Sequence, residues 1–490
     1  LSLEGLVESV KSKTGDVQEN KRTFPRFFFI MHKFMPSLSM DSLNRILKKN
    51  PFPYTWFDSS EQLQIPFEMF LHAFNEPRYF KAGTDLESAR EHARWVGETF
   101  GLRTAGDYHD IYLACDVLQL ADIFMHAEKV FMQTHKVILR NYVGMPSATW
   151  HAFLRNTPEL DLPLYRSAHE ALFFKAMTRG GVTCASTRYA EADGKTSSII
   201  YLDVNGLYPY VMRQKYPCKY LTLWNPRECE GEYAERFIRN LAEQCEREGT
   251  GFCVEVDLSY PAEIHDLTDD YPLAPEHKVL KSDDYAASVY LQEWMEEHEG
   301  EQPPHFEGLV GTLFPKEHYC VHWKILLWYL KMGMKVTKVY TVVKFEESAY
   351  LAPYVEKNIS LRNARTDAMG KMVYKLAGNA LYGKTFENPF NHGKCVVVRD
   401  RDTFAHLMDN GTISQIGYMN GETTVVKMDG EKVVLDKPTY IGPIVTEYAK
   451  LHMYKLFYEE IMGIFGRENM KLLYTDTDSF IIHINHPEGI

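Results

Sequence analysis

The sequence predicts an α+β fold divided into several domains, and three observations lead there. Near the C-terminal end, Lys471-Leu-Leu-Tyr474-Thr-Asp476-Thr-Asp478-Ser-Phe480-Ile-Ile-His-Ile484 places two short β-prone runs on either side of Asp-Thr-Asp. That is the pattern of a hairpin with carboxylates at its tip. Far upstream, Ser197-Ser-Ile-Ile-Tyr-Leu-Asp203 is another apolar run ending in a single Asp. Helices, by contrast, are read over residues 87–100, 105–131 and 441–465. A chain of 490 residues, 45% hydrophobic and 24% charged, has material for two to four domains.

Composition narrows the class. No apolar run approaches the ~20 residues of a membrane span, and the N-terminus lacks a basic-then-apolar signal pattern. The expectation is a soluble intracellular protein without a membrane partner, with nucleus and cytoplasm both open. Eight cysteines without a Cys-x-x-Cys pair indicate neither a zinc site nor a disulfide framework. The net charge of −12 argues against a surface coated in nucleic acid, because phosphate binding needs local Lys and Arg, yet a groove can still concentrate cations.

Taken in order, residues 1 to about 24 carry no assignable period, and Phe27-Phe-Phe-Ile-Met-His-Lys-Phe34 reads as a buried strand. Ser39 is placed to cap a helix, and Asp85-Leu-Glu87 reads as a helix start. In the long helix that follows, Tyr112 and Asp116 are four apart and share a face. Arg179-Gly180-Gly181 combines charge with glycines that allow close backbone approach, which suits a passing nucleic-acid strand and equally suits a surface loop. A helix is read over Trp323 to Met332. In Lys371-x-x-x-Lys375-x-x-x-Asn379-x-x-Tyr382-Gly383, helical geometry sets Lys375 ~40°, Asn379 ~80° and Tyr382 ~20° around from Lys371. Such a stripe of cations, amide and ring is suited to a charged aromatic ligand such as a nucleotide. Arg362 would lie ~180° away on a continuous helix, unless Gly370 turns the chain back. Residues 390–437 alternate β-prone runs with Asn-Gly and Asp-Gly turns at 410, 420 and 429. Asp476 and Asp478, two apart, would point to one side of an extended strand and repel each other unless a cation lies between them. Oxygen donors there suit Mg²⁺, and an ordinary Asp-rich turn is the alternative.

In that order, Asp203-x-x-x-Leu-Tyr-Pro, Lys375-x-x-x-Asn-x-x-Tyr-Gly and Tyr474-x-Asp-Thr-Asp-Ser resemble the three polymerase motifs of family B DNA polymerases. Arg179-Gly-Gly, the stretch Tyr260 to Pro275 and Tyr382-Gly-Lys-Thr-Phe-Glu-Asn388 resemble its protein-primed branch, found in viruses, linear plasmids and large self-synthesising DNA transposons. The resemblance runs from about residue 27 to the C-terminus. It implies a polymerase right hand with an antiparallel-sheet palm and helical fingers, preceded by a truncated RNase H-like exonuclease domain. The implied divisions are 1–135 exonuclease-like, 136–196 connector, 197–345 palm with an insertion, 346–388 fingers, 389–438 second insertion and 439–490 palm again. About eleven residues follow Ser479, so the thumb is expected to be largely absent.

The same resemblance implies DNA-directed DNA polymerase activity on dNTPs with a DNA template and primer, the priming hydroxyl coming from DNA or from a terminal protein. Asp203 and Asp478 would hold two Mg²⁺ ions, or Mn²⁺, with Asp476 in support. Lys375, Lys371 and Arg362 would meet the triphosphate, Tyr208 the sugar, and Asn379 and Tyr382 the nascent pair, with Gly383 also in the nucleotide site. Arg179, Gly180, Gly181, Lys384 and Tyr474 would contact DNA. Tyr112 and Asp116 resemble the last exonuclease motif. Relatives often carry Asp where this chain has Met31, and the first exonuclease motif has no candidate beyond the helix start at Asp85, so no proofreading is expected. Two rivals stand beside the polymerase: a non-catalytic remnant that binds DNA or a partner, and a two-metal nuclease, which leaves the basic stripe unexplained.

Overall fold

A computed structural model describes residues 7–281 except 9 and 12, then 289–298, 306–389, 394–409, 413–420, 423–428 and 433–485. The chain divides into two compact units, one of residues 1–156 with 357–378 and one of residues 157–356 with 379–490. Part of the stretch expected as fingers therefore belongs with the N-terminal residues. No helix among the described residues is long and apolar enough to cross a membrane.

The first unit is helical, with its longest helices at Leu86–Phe100 and Ala105–His135. Both are capped as their sequences imply. Asp85 accepts from Ser88 N at 3.2 Å, and Thr104 and Asp107 form a reciprocal capping box. Ser39 likewise caps the helix Met40–Arg45. Phe27 to Phe34 is not a strand but most of a helix, Pro25–Phe34. Pro25 sits in its first turn, where a missing N–H costs nothing, and the carboxylate of Asp122 accepts from Phe27 N at 2.9 Å and Arg26 N at 3.3 Å. That distant anion settles the helix. Phe27, Phe28 and Met31 turn into the core while Phe29 and Phe34 stay exposed.

The second unit carries thirteen strands among the described residues, all paired antiparallel. They are β1 Thr183–Ala185, β2 Ser197–Asp203, β3 Tyr216–Trp224, β4 Thr250–Ser259, β5 Glu276–Leu280, β6 Phe306–Val310, β7 Lys316–His322, β8 Lys335–Ser348, β9 Lys394–Val398, β10 Ile413–Asn420, β11 Thr423–Met428, β12 Met470–Asp476 and β13 Ser479–Asn485. Four sheets result, ordered β1-β12-β13-β2, β3-β8-β4-β7, β10-β11-β9 and β5-β6. The meander expected over 390–437 thus forms a three-stranded sheet, but with a helix, Arg401–Asp409, that the alternation of β-prone runs did not reveal. The turns expected at 410, 420 and 429 involve residues outside those described. The helix Ile441–Lys455 is buried on almost every side and runs on through a π turn, Leu456–Ile461, to Phe465, close to the span read from sequence. Such a helix, buried all round, is an interior element. All eight cysteines are unpaired.

Candidate functional site

The site is built from the ends of four strands. Register pairs Thr183 of β1 with Asp476 of β12, Asp476 with Ser479 of β13, and Ser479 with Asp203 of β2. Directly opposed residues share a face, so this row carries two carboxylates across one end of the sheet. Asp478 lies in the turn between β12 and β13, and its carbonyl accepts from Val204 N at 2.8 Å. A register pair is ~4.5–5.5 Å between Cα atoms and one residue adds ~3.8 Å, so Asp203 and Asp478 stand within ~9 Å at the Cα level.

The turn is not the extended strand that the spacing suggested. Thr477 takes φ 56°, a left-handed conformation seldom occupied by a β-branched residue. Its N–H donates to the carbonyl of Val182 at 2.9 Å, and a Cβ at Gly181 would collide with its side chain. Asp476 accepts from Thr183 Oγ1 at 2.8 Å and from Thr477 Oγ1 at 3.3 Å. Asp203 accepts from the Tyr201 hydroxyl at 3.4 Å. No Lys or Arg forms an ion pair with Asp203 or Asp476 among the described residues.

Tyr208 lies on the short helix Leu207–Val211 and stacks on Tyr382, ring centroids 4.5 Å apart. Burial, then the neighbouring Tyr382, and then the charges of Asp478 and Asp476 hold the Tyr208 hydroxyl above its ordinary pKa. Two rings and two carboxylate charges therefore lie near one another. Thr385 and Leu381 are buried behind Tyr382, and Gly442 approaches the Thr385 carbonyl so closely that a Cβ there would meet it.

The stripe expected over Lys371 to Gly383 is interrupted. One helix ends at Asn379 and a second, Leu381–Thr385, carries Tyr382, Gly383 and Lys384. Glycine and asparagine at 378 and 379 are poor helix formers, and the burial of Leu381 and Thr385 outweighs continuing the first helix. Lys371 and Lys375 are exposed on the first of these helices, within the first unit. The helix breaks at Arg365 to Asp367, not at Gly370: Asp367 accepts from Gly370 N at 2.7 Å and starts the new helix. Arg362 is exposed on the preceding helix, Ala352–Ala364. Lys384 is paired with Glu387 at 2.6 Å, and Tyr474 is half-buried opposite Ala185.

Arg179 is not at the surface. It is 5% exposed, donates to the Cys320 carbonyl at 2.8 Å and lies 3.8 Å over the Tyr319 ring. A buried guanidinium with these partners cannot reach a DNA phosphate, so the expected DNA contact is withdrawn; the adjoining Gly181 instead seats the acid-bearing turn. In the first unit, Tyr112 is buried against Phe52 and bonded to the Tyr54 hydroxyl at 2.5 Å. Burial first, then Tyr54 and Asp116, hold its pKa up.

Among the described residues no three His, Cys, Asp or Glu side chains form a ready metal cage. The hydroxyls of Thr183 and Thr477 engage Asp476, the carboxylate expected to support the other two. Asp203 and Asp478, at the same end of the sheet, offer oxygen donors only. That donor set fits Mg²⁺, which commonly uses one or two protein carboxylates and takes its other ligands from water and phosphate. Sequence reasoning missed Thr183, Glu447 and Lys450. The signal for the last two was available: a charged pair inside the mostly apolar stretch Ile441 to Leu451.

Comparison with known proteins adds the following. The family described as DNA polymerase type B, organellar and viral, matches residues 20–297, more than half of the chain, a span that includes Asp203 and Tyr208. No curated protein matches. Among solved structures, Phi29 DNA polymerase complexed with primer-template DNA as a post-translocation binary complex is similar at 15% identity and a TM-score of 0.43, over 76% of this chain and 52% of that one. The ternary complex of the same polymerase with primer-template DNA and incoming nucleotides gives 15%, 0.44, 79% and 54%. Its orthorhombic crystal form gives 14%, 0.42, 80% and 58%. The chain thus spans little more than half the length of the structures it matches.

Proposed function

Because this chain belongs to the organellar and viral type B DNA polymerases, we propose that it is a DNA-directed DNA polymerase that extends a primer on a DNA template from dNTPs. The observation that carries the proposal is the register of β2, β13 and β12, which brings Asp203 and Asp478, 275 positions apart in sequence, to one end of one sheet. In the reaction a primer hydroxyl oxygen forms a bond to the α-phosphorus of the dNTP, the α–β anhydride bond breaks, and pyrophosphate leaves with its electron pair.

Asp203 and Asp478 are the residues to hold Mg²⁺, which when bound lowers the pKa of the attacking hydroxyl and neutralises charge on the phosphates. Asp476, held by two hydroxyls, fixes the turn and adds negative charge beside them. Tyr208, stacked on Tyr382, presents a flat apolar wall suited to the sugar of the incoming nucleotide, where a 2'-hydroxyl would collide. By their motif, Lys375 and Lys371 meet the triphosphate, with Lys375 placed to give a proton to the leaving pyrophosphate, and Arg362 supports them. Asn379 and Tyr382 pack against the nascent pair, and Gly383 adds to the nucleotide site. Priming from a Ser, Thr or Tyr hydroxyl of a terminal protein follows from the protein-primed motifs and is a further part of the proposal.

Primer extension with Mg²⁺ and the four dNTPs tests the reading. The chain should extend a 3'-recessed primer, and Asp478→Asn should lower the rate by at least ~10³-fold, the loss of several kcal/mol of charge stabilisation. Absence of incorporation by the unmodified chain overturns it.

A further inference from the structure

Behind the acid-bearing turn lies a buried cluster of charge that the roles above leave unused. Arg179, Glu447 and Lys450 are 5%, 1% and 3% exposed. Glu447 and Lys450 are one turn apart on the helix Ile441–Lys455, with Oε1 and Nζ 3.2 Å apart, and the same Oε1 stands 4.0 Å from Arg179 Nη1. Burial pulls the Lys450 ammonium below its ordinary pKa, and Glu447 opposes that pull. Three buried charges are a poor source of stability, because desolvation can exceed their mutual attraction and apolar replacements of similar volume often do as well. Their partners indicate what they do instead.

Arg179 donates to the Cys320 carbonyl at 2.8 Å and Lys450 donates to the Gly180 carbonyl at 3.5 Å, so the cluster fixes residues 179 and 180. The next three residues are those that grip the turn. Gly181 leaves room for the Thr477 side chain, the Val182 carbonyl accepts from Thr477 N at 2.9 Å, and Thr183 Oγ1 donates to Asp476 at 2.8 Å. A β-branched residue at φ 56° persists only where its surroundings over-determine it. We propose that Arg179, Glu447 and Lys450 are positioning residues: acting through residues 180–183, they hold the Asp476–Asp478 turn in the conformation that sets Asp478 beside Asp203 for metal binding. The inference deepens the polymerase reading and rests on it only for what the metal is used for.

The probe is Mn²⁺ alone, with binding read from the loss of its free-ion paramagnetic resonance signal, alongside primer extension and primer-template affinity. Glu447→Gln and Lys450→Met should each weaken Mn²⁺ binding ~10–100-fold and raise the Mn²⁺ concentration for half-maximal extension by the same factor, with DNA affinity within ~2-fold. Lys450→Arg, which keeps charge and reach, should restore most of the binding. The triple replacement Arg179→Met, Glu447→Leu, Lys450→Met is expected to fold and yet bind Mn²⁺ as weakly as the single variants. Unchanged Mn²⁺ binding in any folded single or triple variant overturns the proposal, as does a failure of all of them to fold, which makes the cluster a folding requirement instead. Lack of Mn²⁺ binding by the unmodified chain also overturns it. If that chain binds Mn²⁺, responds to the variants and never extends a primer, the polymerase reading fails and the positioning role stands.

Discussion

Thr477 stands between two carboxylates in a backbone conformation costing roughly 1–3 kcal/mol for a residue of its kind, and the chain spends contacts from β1 to keep it there. The result is that Asp476 and Asp478, two positions apart in sequence, are held differently. The carboxylate of one is bound by Thr183 and Thr477, while the backbone carbonyl of the other accepts from Val204 N at the end of β2. Tyr208 shows the same economy: it stacks on Tyr382, which holds its ring as a flat wall, and it lies within reach of the charges of Asp478 and Asp476. Tyr208→Val opens that wall. The ratio of kcat/KM for dNTP over the matching ribonucleotide should fall by about 10²-fold, with most of the change in ribonucleotide use. A ratio unchanged by the substitution removes Tyr208 from sugar selection.

Elements explain which features could be read in advance. The acid-tipped hairpin, the strand ending in Asp203 and the capped helices are local patterns, and each was legible because neighbours in sequence fix it. The helix Pro25–Phe34 was not, because its start depends on Asp122, nearly a hundred residues on. The Arg179-Gly-Gly stretch was misread for a related reason. Its composition suits a DNA groove, but burial is set by Tyr319, Cys320 and Glu447, which only the folded chain brings near. The glycine there serves the turn, and that can be tested. Gly181→Ala drives a Cβ into Thr477, so it should lower stability by ~1–3 kcal/mol and slow extension at least tenfold. The salt slope of primer-template binding should not move, because no phosphate contact is lost. Thermal unfolding and a salt titration of binding separate this from a DNA-contact role, which predicts weaker binding at unchanged stability.

For the whole molecule, the acidity implied by a net charge of −12 says little about function, but buried histidines give the first unit a pH response with a definite window. Burial, aided by Lys48 and Arg45, pushes His92 down to about 4, where its Nε2 lies 2.6 Å from Asn50 Oδ1. Burial also pushes His135 down to about 4, against a hydrogen bond with Asn358. Unfolded, both titrate near ~6.5. Between those values the unfolded chain binds more protons than the folded one, so stability is complete above ~6.5 and is lost as pH falls toward about 4. Each histidine contributes at most ~1.4 kcal/mol per pH unit across that interval. Asp107, held low by the N–H groups of Arg103 and Thr104, and Glu128, held low by Arg140, add their losses only below ~4.5. The arm from 6.5 to 4.5 therefore belongs to the histidines. Urea unfolding at stepped pH, followed through a probe in residues 1–156, should show this decline, and His92→Gln should make it shallower without abolishing it, since burial lowers His126 and His135 as well. A slope that the substitution leaves unchanged would assign the acid sensitivity elsewhere.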